Sequence, residues 1–217
     1  MSETVTTAVA RRETGPGALI RQYSNDFATV LPSHIKPATW VRLAQGALKK
    51  GKKITSRADE NFGRYELEVA AQNNPGTFLA ALLDAARQGL EPGTEQYYLT
   101  PRRVKGQLEI LGITGYQGYI ELMYRSGAIE SVIVEVVRSN DKFNYRPGHD
   151  PIPLHDIDWD SADRGTLRLV YAYARMKGGS YSKVVVLNRA DIERIKKSSQ
   201  GTDSDYSPWV TAEEASG

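Results

Sequence analysis

The chain has 217 residues, of which 40% are apolar and 25% charged, with a net charge of +2. That composition supports a packed core and excludes a wholly disordered chain. The absence of cysteine excludes a disulfide scaffold, a cysteine nucleophile, a zinc ribbon and an iron–sulfur site.

No apolar run approaches the length of a membrane-spanning helix. Residues 1–10 lack the basic and apolar regions of a secretory signal, so a cytoplasmic location without membrane contact is expected. The distribution of charge says more than its sum. Residues 150–163 hold Asp150, Asp156, Asp158, Asp160 and Asp163 and no Lys or Arg; residues 201–217 hold Asp203, Asp205, Glu213 and Glu214 and again no base. Outside these two stretches 28 bases face 17 acids. A body that is basic once its acids are set aside suits a polyphosphate partner, whose affinity comes from neutralised phosphates and released counterions.

In chain order, residues 1–25 show no periodicity and read as a flexible N-terminal arm. Trp40, Leu43, Ala44, Ala47 and Leu48 follow Pro37 at helical spacing and form one apolar face. Residues 51–64 read as a basic, glycine-containing loop. A helical stretch from about Tyr65 breaks at Asn73-Asn74-Pro75, where Asn74 caps the next helix and Pro75 takes its first position. That helix carries Phe78, Leu79, Leu82, Leu83 and Ala86 and stops at Gly89.

Residues 96–101 and 107–113 read as a β-hairpin with Arg102, Arg103 and Lys105 at its tip. Thr114 and Gln117 stand at capping-box spacing ahead of a helix striped by Tyr116, Tyr119, Ile120, Met123 and Tyr124. Tyr119, mid-stripe, is expected in the core. Residues 129–138 read as a strand at least partly covered on both faces, residues 148–165 as an acidic loop, and residues 167–175 and 181–187 as a hairpin turning at Gly178-Gly179. Asn188 then caps a helix to about Lys197 with Ile192 and Ile195 inward. The sum is an α+β fold: N-terminal and central helices packed with a mainly antiparallel sheet that includes a β-hairpin. The expected organisation is a flexible arm over 1–25, a folded core over 26–200, and an acidic C-terminal tail over 201–217.

There is no phosphate-binding P-loop. Gly112, Gly115 and Gly118 fall three apart at a strand-to-helix junction, where they serve either close packing or an approaching phosphate. His34, His149 and His155 form no metal-ligand spacing, and no metal or cofactor is expected. Asp156, Asp158 and Asp160 support, as an alternative, a metal-dependent nuclease; a self-assembling module without a DNA role is another. Tyr97, Tyr98, Tyr116, Tyr119 and Tyr124 interleave with Arg102, Arg103, Lys105 and Arg125, the combination by which single strands are held through stacked bases and neutralised phosphates.

The stretches AALLDAARQGLEPGTEQYYLTPR (80–102), LEILGITGYQGYIELMYRSGAI (108–129), VVRSNDKFNY (136–145), YAYARMKGG (171–179), LNRADIERIKKSS (187–199) and SPWV (207–210) are colinear with, and resemble, the RecT family of phage single-strand annealing proteins. The resemblance implies ATP-independent annealing of complementary DNA strands in homologous recombination, without covalent catalysis. It implies single-stranded DNA and the annealed duplex as ligands, self-association as a ring or helical filament, and a 5′–3′ exonuclease partner in a bacterial host cell. Carried over by position, it points to Tyr98, Arg102, Tyr116 and Gln117 as DNA-binding residues, with Arg125, Lys183, Arg189 and Lys197 as further candidates. Gln117 stands where the family has arginine. After Val210 the family pattern continues into a Lys- and Arg-rich helix, whereas this sequence reads TAEEASG, so a shortened chain is expected.

Overall fold

Pro16 opens one short apolar segment and Phe27 lies within the next. The computed structural model describes residues 15–198. Helix α1 (Pro16–Gln22) falls within the expected arm, and α2 (Ser24–Val30) starts at its end. This corrects the reading of 1–25 at α1: Ile20 is buried, as is Phe27 just after the arm, and burying them outweighs the weak helix signals of such short segments. Residues 1–14, and the acidic tail over 201–217, lie outside the described residues.

The chain divides into two compact units, one up to Leu122 and the other from Met123, so the residues expected as a single 26–200 core fall in both. In the first unit, α3 (Pro37–Ala47), α4 (Glu66–Asn73) and α5 (Pro75–Gln88) follow the apolar periodicity. Asn74 caps α5 by accepting from Thr77 N–H at 3.3 Å, and Gly89 ends it in the left-handed conformation (φ 63°) that glycine adopts without strain. Trp40 is buried against Phe27, ring centroids 5.2 Å apart, and its indole N–H donates to Leu90 C=O at 2.9 Å. That bond satisfies the one polar atom of the ring at the centre of a core built from Ile20, Ala44, Leu67, Phe78, Leu82 and Ala85.

Strands β1 (Tyr97–Val104) and β2 (Gln107–Thr114) form the expected antiparallel hairpin. The turn is only Lys105-Gly106, both at positive φ (49° and 83°), as a tight two-residue hairpin turn requires. Arg102 and Arg103 therefore lie in the strand and alternate between its faces. Thr114 closes β2 and donates to Gln88 at 2.9 Å, while Gly115 C=O accepts from Tyr119 N–H at the start of the next helix, α6 (Tyr116–Arg125); the helix begins one residue too late for the expected capping box of Thr114 with Gln117.

In the second unit, β3 (Ile129–Arg138), β6 (Leu167–Met176) and β7 (Val185–Asn188) make an antiparallel sheet in the order β3-β6-β7. β4 (Lys142–Asn144) pairs with β5 (Leu154–Asp156), a strand inside the stretch expected to be loop. One sheet face packs Val137, Tyr171 and Val184 with Phe143 and Tyr145. The opposite face is only thinly covered: Val132 is half-buried, while Val134 and Val136 of β3 are exposed.

α7 (Arg189–Ser198) begins as read, with Asn188 and Asp191 exchanging side-chain-to-backbone bonds at 3.0 and 3.2 Å, but Ile195 is exposed. Asp141, in the turn after β3, is buried and tied to Arg164 (2.7 Å), His155 Nε2 (3.1 Å) and the Arg138 N–H (2.8 Å). Those bonds, Arg164 foremost, hold its carboxyl well below the usual carboxylate range despite its burial. They fasten the acidic stretch to the end of β3.

Candidate nucleic-acid interface

The two-residue turn fixes the hairpin register, and the register fixes the faces. Tyr97, Leu99 and Ile110 point inward and are buried. Three polar ties hold this side to α5. The Tyr97 hydroxyl donates to Asp84 at 2.8 Å, Ile110 N–H donates to Thr77 Oγ1 at 3.2 Å, and Thr114 bonds Gln88. Burial, reinforced by Asp84, raises the Tyr97 phenol above its ordinary range and keeps it a donor.

The other face is open. It carries Tyr98 opposite Ile113, Thr100 opposite Leu111, and Arg102 opposite Glu109. Tyr98 (42%), Leu111 (36%) and Ile113 (42%) are exposed there, an apolar strip with a cation at one end. Leu111 and Ile113 were missed by sequence reasoning because alternation shows that residues share a face without showing which face is covered.

Three glycines position the start of α6 against this strip. A Cβ on Gly112 would collide with the Tyr97 hydroxyl, leaving no room for any side chain there. A Cβ on Gly115 would strike the Glu95 carbonyl and stand 2.8 Å from Tyr98 Cε2. One on Gly118 would strike the Gln96 carbonyl and stand 3.0 Å from Leu90 Cδ1. Gly115 N–H also donates to Gln96 C=O at 2.9 Å. Of the two uses open to these glycines, close packing is the one the geometry realises.

Tyr116 and Tyr119 project from the first turns of α6, 64% and 59% exposed. Tyr119 is therefore not a core residue: the stripe is real, but its aromatic members face solvent. Gln117 donates from Nε2 to the Tyr116 hydroxyl at 2.8 Å. A cleft of about 380 Å³ lies along β1, lined by Tyr98, Thr100 and Pro101 and by Lys50, Lys52 and Glu66. Lys50 Nζ donates to Gly93 C=O at 3.1 Å, and Lys53 Nζ lies 4.9 Å from the Tyr65 ring centroid. Residues 51–64 were legible as a basic loop, and only the fold brings Lys52 alongside Tyr98.

The remaining candidates lie elsewhere. Arg103, one residue on from Arg102, turns to the other side of the hairpin and lines a hollow with Asp59, Glu60 and Asn61. Lys105 occupies the turn. Arg125, in the last turn of α6, is half-buried and belongs to the second unit, as do the exposed Lys183, Arg189 and Lys197. Among the described residues no group of His, Asp and Glu could hold a metal ion. Asp158 accepts instead from Asp160 N–H at 3.1 Å. No helix among the described residues is long and apolar enough to cross a membrane.

A family model for the RecT family matches residues 53–215, which takes in the hairpin, α6 and the second unit. The chain belongs to the RecT family. It is 30% identical over 193 residues to Protein RecT of Escherichia coli (strain K12), an overlap of 85% of this chain and 63% of that protein. This RecT-family chain thus spans under two thirds of the length of the curated relative it matches. The match begins at Lys53, so Lys50 and Lys52, the lysines that line the cleft with Tyr98, lie just before it.

Proposed function

We propose that this chain binds single-stranded DNA and anneals complementary strands without ATP, as a homo-oligomer in phage recombination beside a 5′–3′ exonuclease. The observation that carries the reading is the open hairpin face. Tyr98, Leu111 and Ile113 are exposed on a hairpin whose other side is fastened to α5, with Arg102 and the lysines of the cleft beside them. Rings on a rigid support stack bases of any sequence, and cations neutralise phosphates, so binding is sequence-tolerant and salt-sensitive. Pairing between strands then supplies the specificity, and no bond of the DNA is made or broken. Family membership supports the annealing role.

Fluorescence anisotropy with a labelled oligonucleotide over a salt series tests the binding step. The expected result is a log affinity that falls linearly with log salt and depends on length rather than sequence. Salt-independent binding, or none, would overturn the proposal, and magnesium-dependent cleavage would favour the nuclease alternative.

A further inference from the structure

The β3-β6-β7 sheet ends in a strand with a single neighbour on each side. In an antiparallel ladder every second residue turns its N–H and C=O away from the neighbour. On β3 these are the even-numbered residues. Val132 N–H donates to the Tyr124 hydroxyl (3.2 Å), Val136 C=O accepts from Arg164 (3.3 Å), and Arg138 N–H donates to Asp141 (2.8 Å). Side chains thus close both ends of this edge. Between them, Val132 C=O, Val134 N–H and C=O, and Val136 N–H have no partner among the described residues.

The other edge is its counterpart. Ala174 exchanges bonds with Ser182 (2.8 and 2.9 Å), so the even residues of β6 face β7, and the pairing of Ala172 with Val185 turns Val184 and Val186 outward. Asn188 N–H, next along, is taken by Asp191 at 3.2 Å. Among the described residues the N–H and C=O of Val184 and of Val186 have no partner, although Val184 as a whole is only 6% exposed.

We infer that β3 of one copy pairs with β7 of a second copy, joining the two sheets head to tail. The inference rests on the self-association proposed above and names its surface. β3 and β7 are both antiparallel to β6, so the junction is parallel. In a parallel ladder a residue bonds the two residues flanking its opposite number. With Val134 opposite the partner's Val185, Val134 N–H donates to the partner's Val184 C=O and Val136 N–H donates to the partner's Val186 C=O. In return the partner's Val186 N–H reaches Val134 C=O, and the partner's Val184 N–H reaches Val132 C=O. Each free group on both edges finds a partner. The same register sets Val134 against the partner's Val185. These valines are 63% and 52% exposed and share one sheet face through Ala172, so the junction covers apolar surface as well. Such a contact uses a different edge from each copy, so it propagates, closing into a ring or running on as a filament.

The test is light scattering after gel filtration of the full chain, with and without single-stranded DNA, on Val134→Lys and Val185→Lys. Both side chains are exposed, so the fold should survive, with thermal melts as the control. Wild type should assemble beyond a dimer, and each variant alone should need roughly tenfold or more protein to assemble, because a lysine is forced onto apolar surface at every junction. An equimolar mixture should give a dimer, since one variant keeps a clean β7 edge and the other a clean β3 edge. The double variant Val134→Glu with Val185→Lys should regain assembly, because opposite charges then meet at each junction. Variants that assemble like wild type, or a mixture that stays monomeric, would overturn the edge pairing and leave self-association standing. A wild-type chain that stays monomeric in all conditions would overturn the self-association reading itself.

Discussion

The ring of Tyr98 lies where the side chain of residue 115 would be: a Cβ built on Gly115 would stand 2.8 Å from Tyr98 Cε2 and against the Glu95 carbonyl. Gly115→Ala must therefore displace the backbone at Glu95 and the exposed ring as well. The expected cost is about 1–3 kcal/mol of stability, the range for overpacking a close contact. A weaker grip on single-stranded DNA should accompany it, because the platform tilts. Paired denaturant melts and anisotropy titrations measure both.

Adjacent tyrosines on β1 should behave oppositely. Tyr98→Ala should leave the melting temperature nearly unchanged and weaken DNA binding by about 1–3 kcal/mol, the value of one stacked base, or roughly 5- to 150-fold. Tyr116→Ala should do likewise. Tyr97→Phe removes a buried hydroxyl bonded to Asp84 at 2.8 Å and should cost about 1–2 kcal/mol of stability while leaving intrinsic DNA affinity close to wild type. Equal binding losses at positions 97 and 98 would mean that the face has been misassigned.

Arg102 and Arg103 offer a sharper contrast. Arg102 shares the open face with Tyr98, whereas Arg103 faces Asp59 and Glu60. Arg102→Glu should weaken binding and lower the slope of log affinity against log salt by about one phosphate contact. Arg103→Glu should change that slope much less.

Asp141 predicts an acid-sensitive second unit. Its carboxyl titrates below the ordinary value because Arg164, then the Arg138 N–H and His155, bond the ionised form. A group with a lowered folded pKa contributes stability fully above its unfolded value of about 3.9, and loses it as pH falls through the folded value. Wild type should therefore lose stability below about pH 4, and Asp141→Asn should lack that portion of the loss. At neutral pH the substitution leaves Arg164 without its carboxylate and should cost about 2–4 kcal/mol, reduced from the fully buried case because Arg164 is partly exposed. Urea melts from pH 3 to 7 follow both effects.

The parts of this fold that were legible in the sequence are those where a local signal and the packing agree. Asn74-Pro75 and Gly89 bracket α5, and Lys105-Gly106 pins the hairpin. Helices α1 and α2 were missed because seven residues carry too little periodicity to outweigh glycine and polar neighbours. The site was half legible. Tyr98, Arg102 and Tyr116 could be named from their interleaving, but the exposure of Tyr119, Leu111 and Ile113 could not. A stripe or an alternation groups residues on one face without saying whether anything covers it. The lysines at 50 and 52 join Tyr98 only through the tertiary path of the chain between α3 and α4.

The most direct measurement is the annealing of two complementary fluorescent oligonucleotides by this chain without ATP, with Tyr98→Ala and Arg102→Glu run in parallel. The account predicts pairing faster than the spontaneous rate, suppressed by high salt and reduced in both variants. Acceleration unchanged by both substitutions would contradict the assignment of the open hairpin face. No acceleration by a folded chain that binds DNA would contradict the annealing function itself.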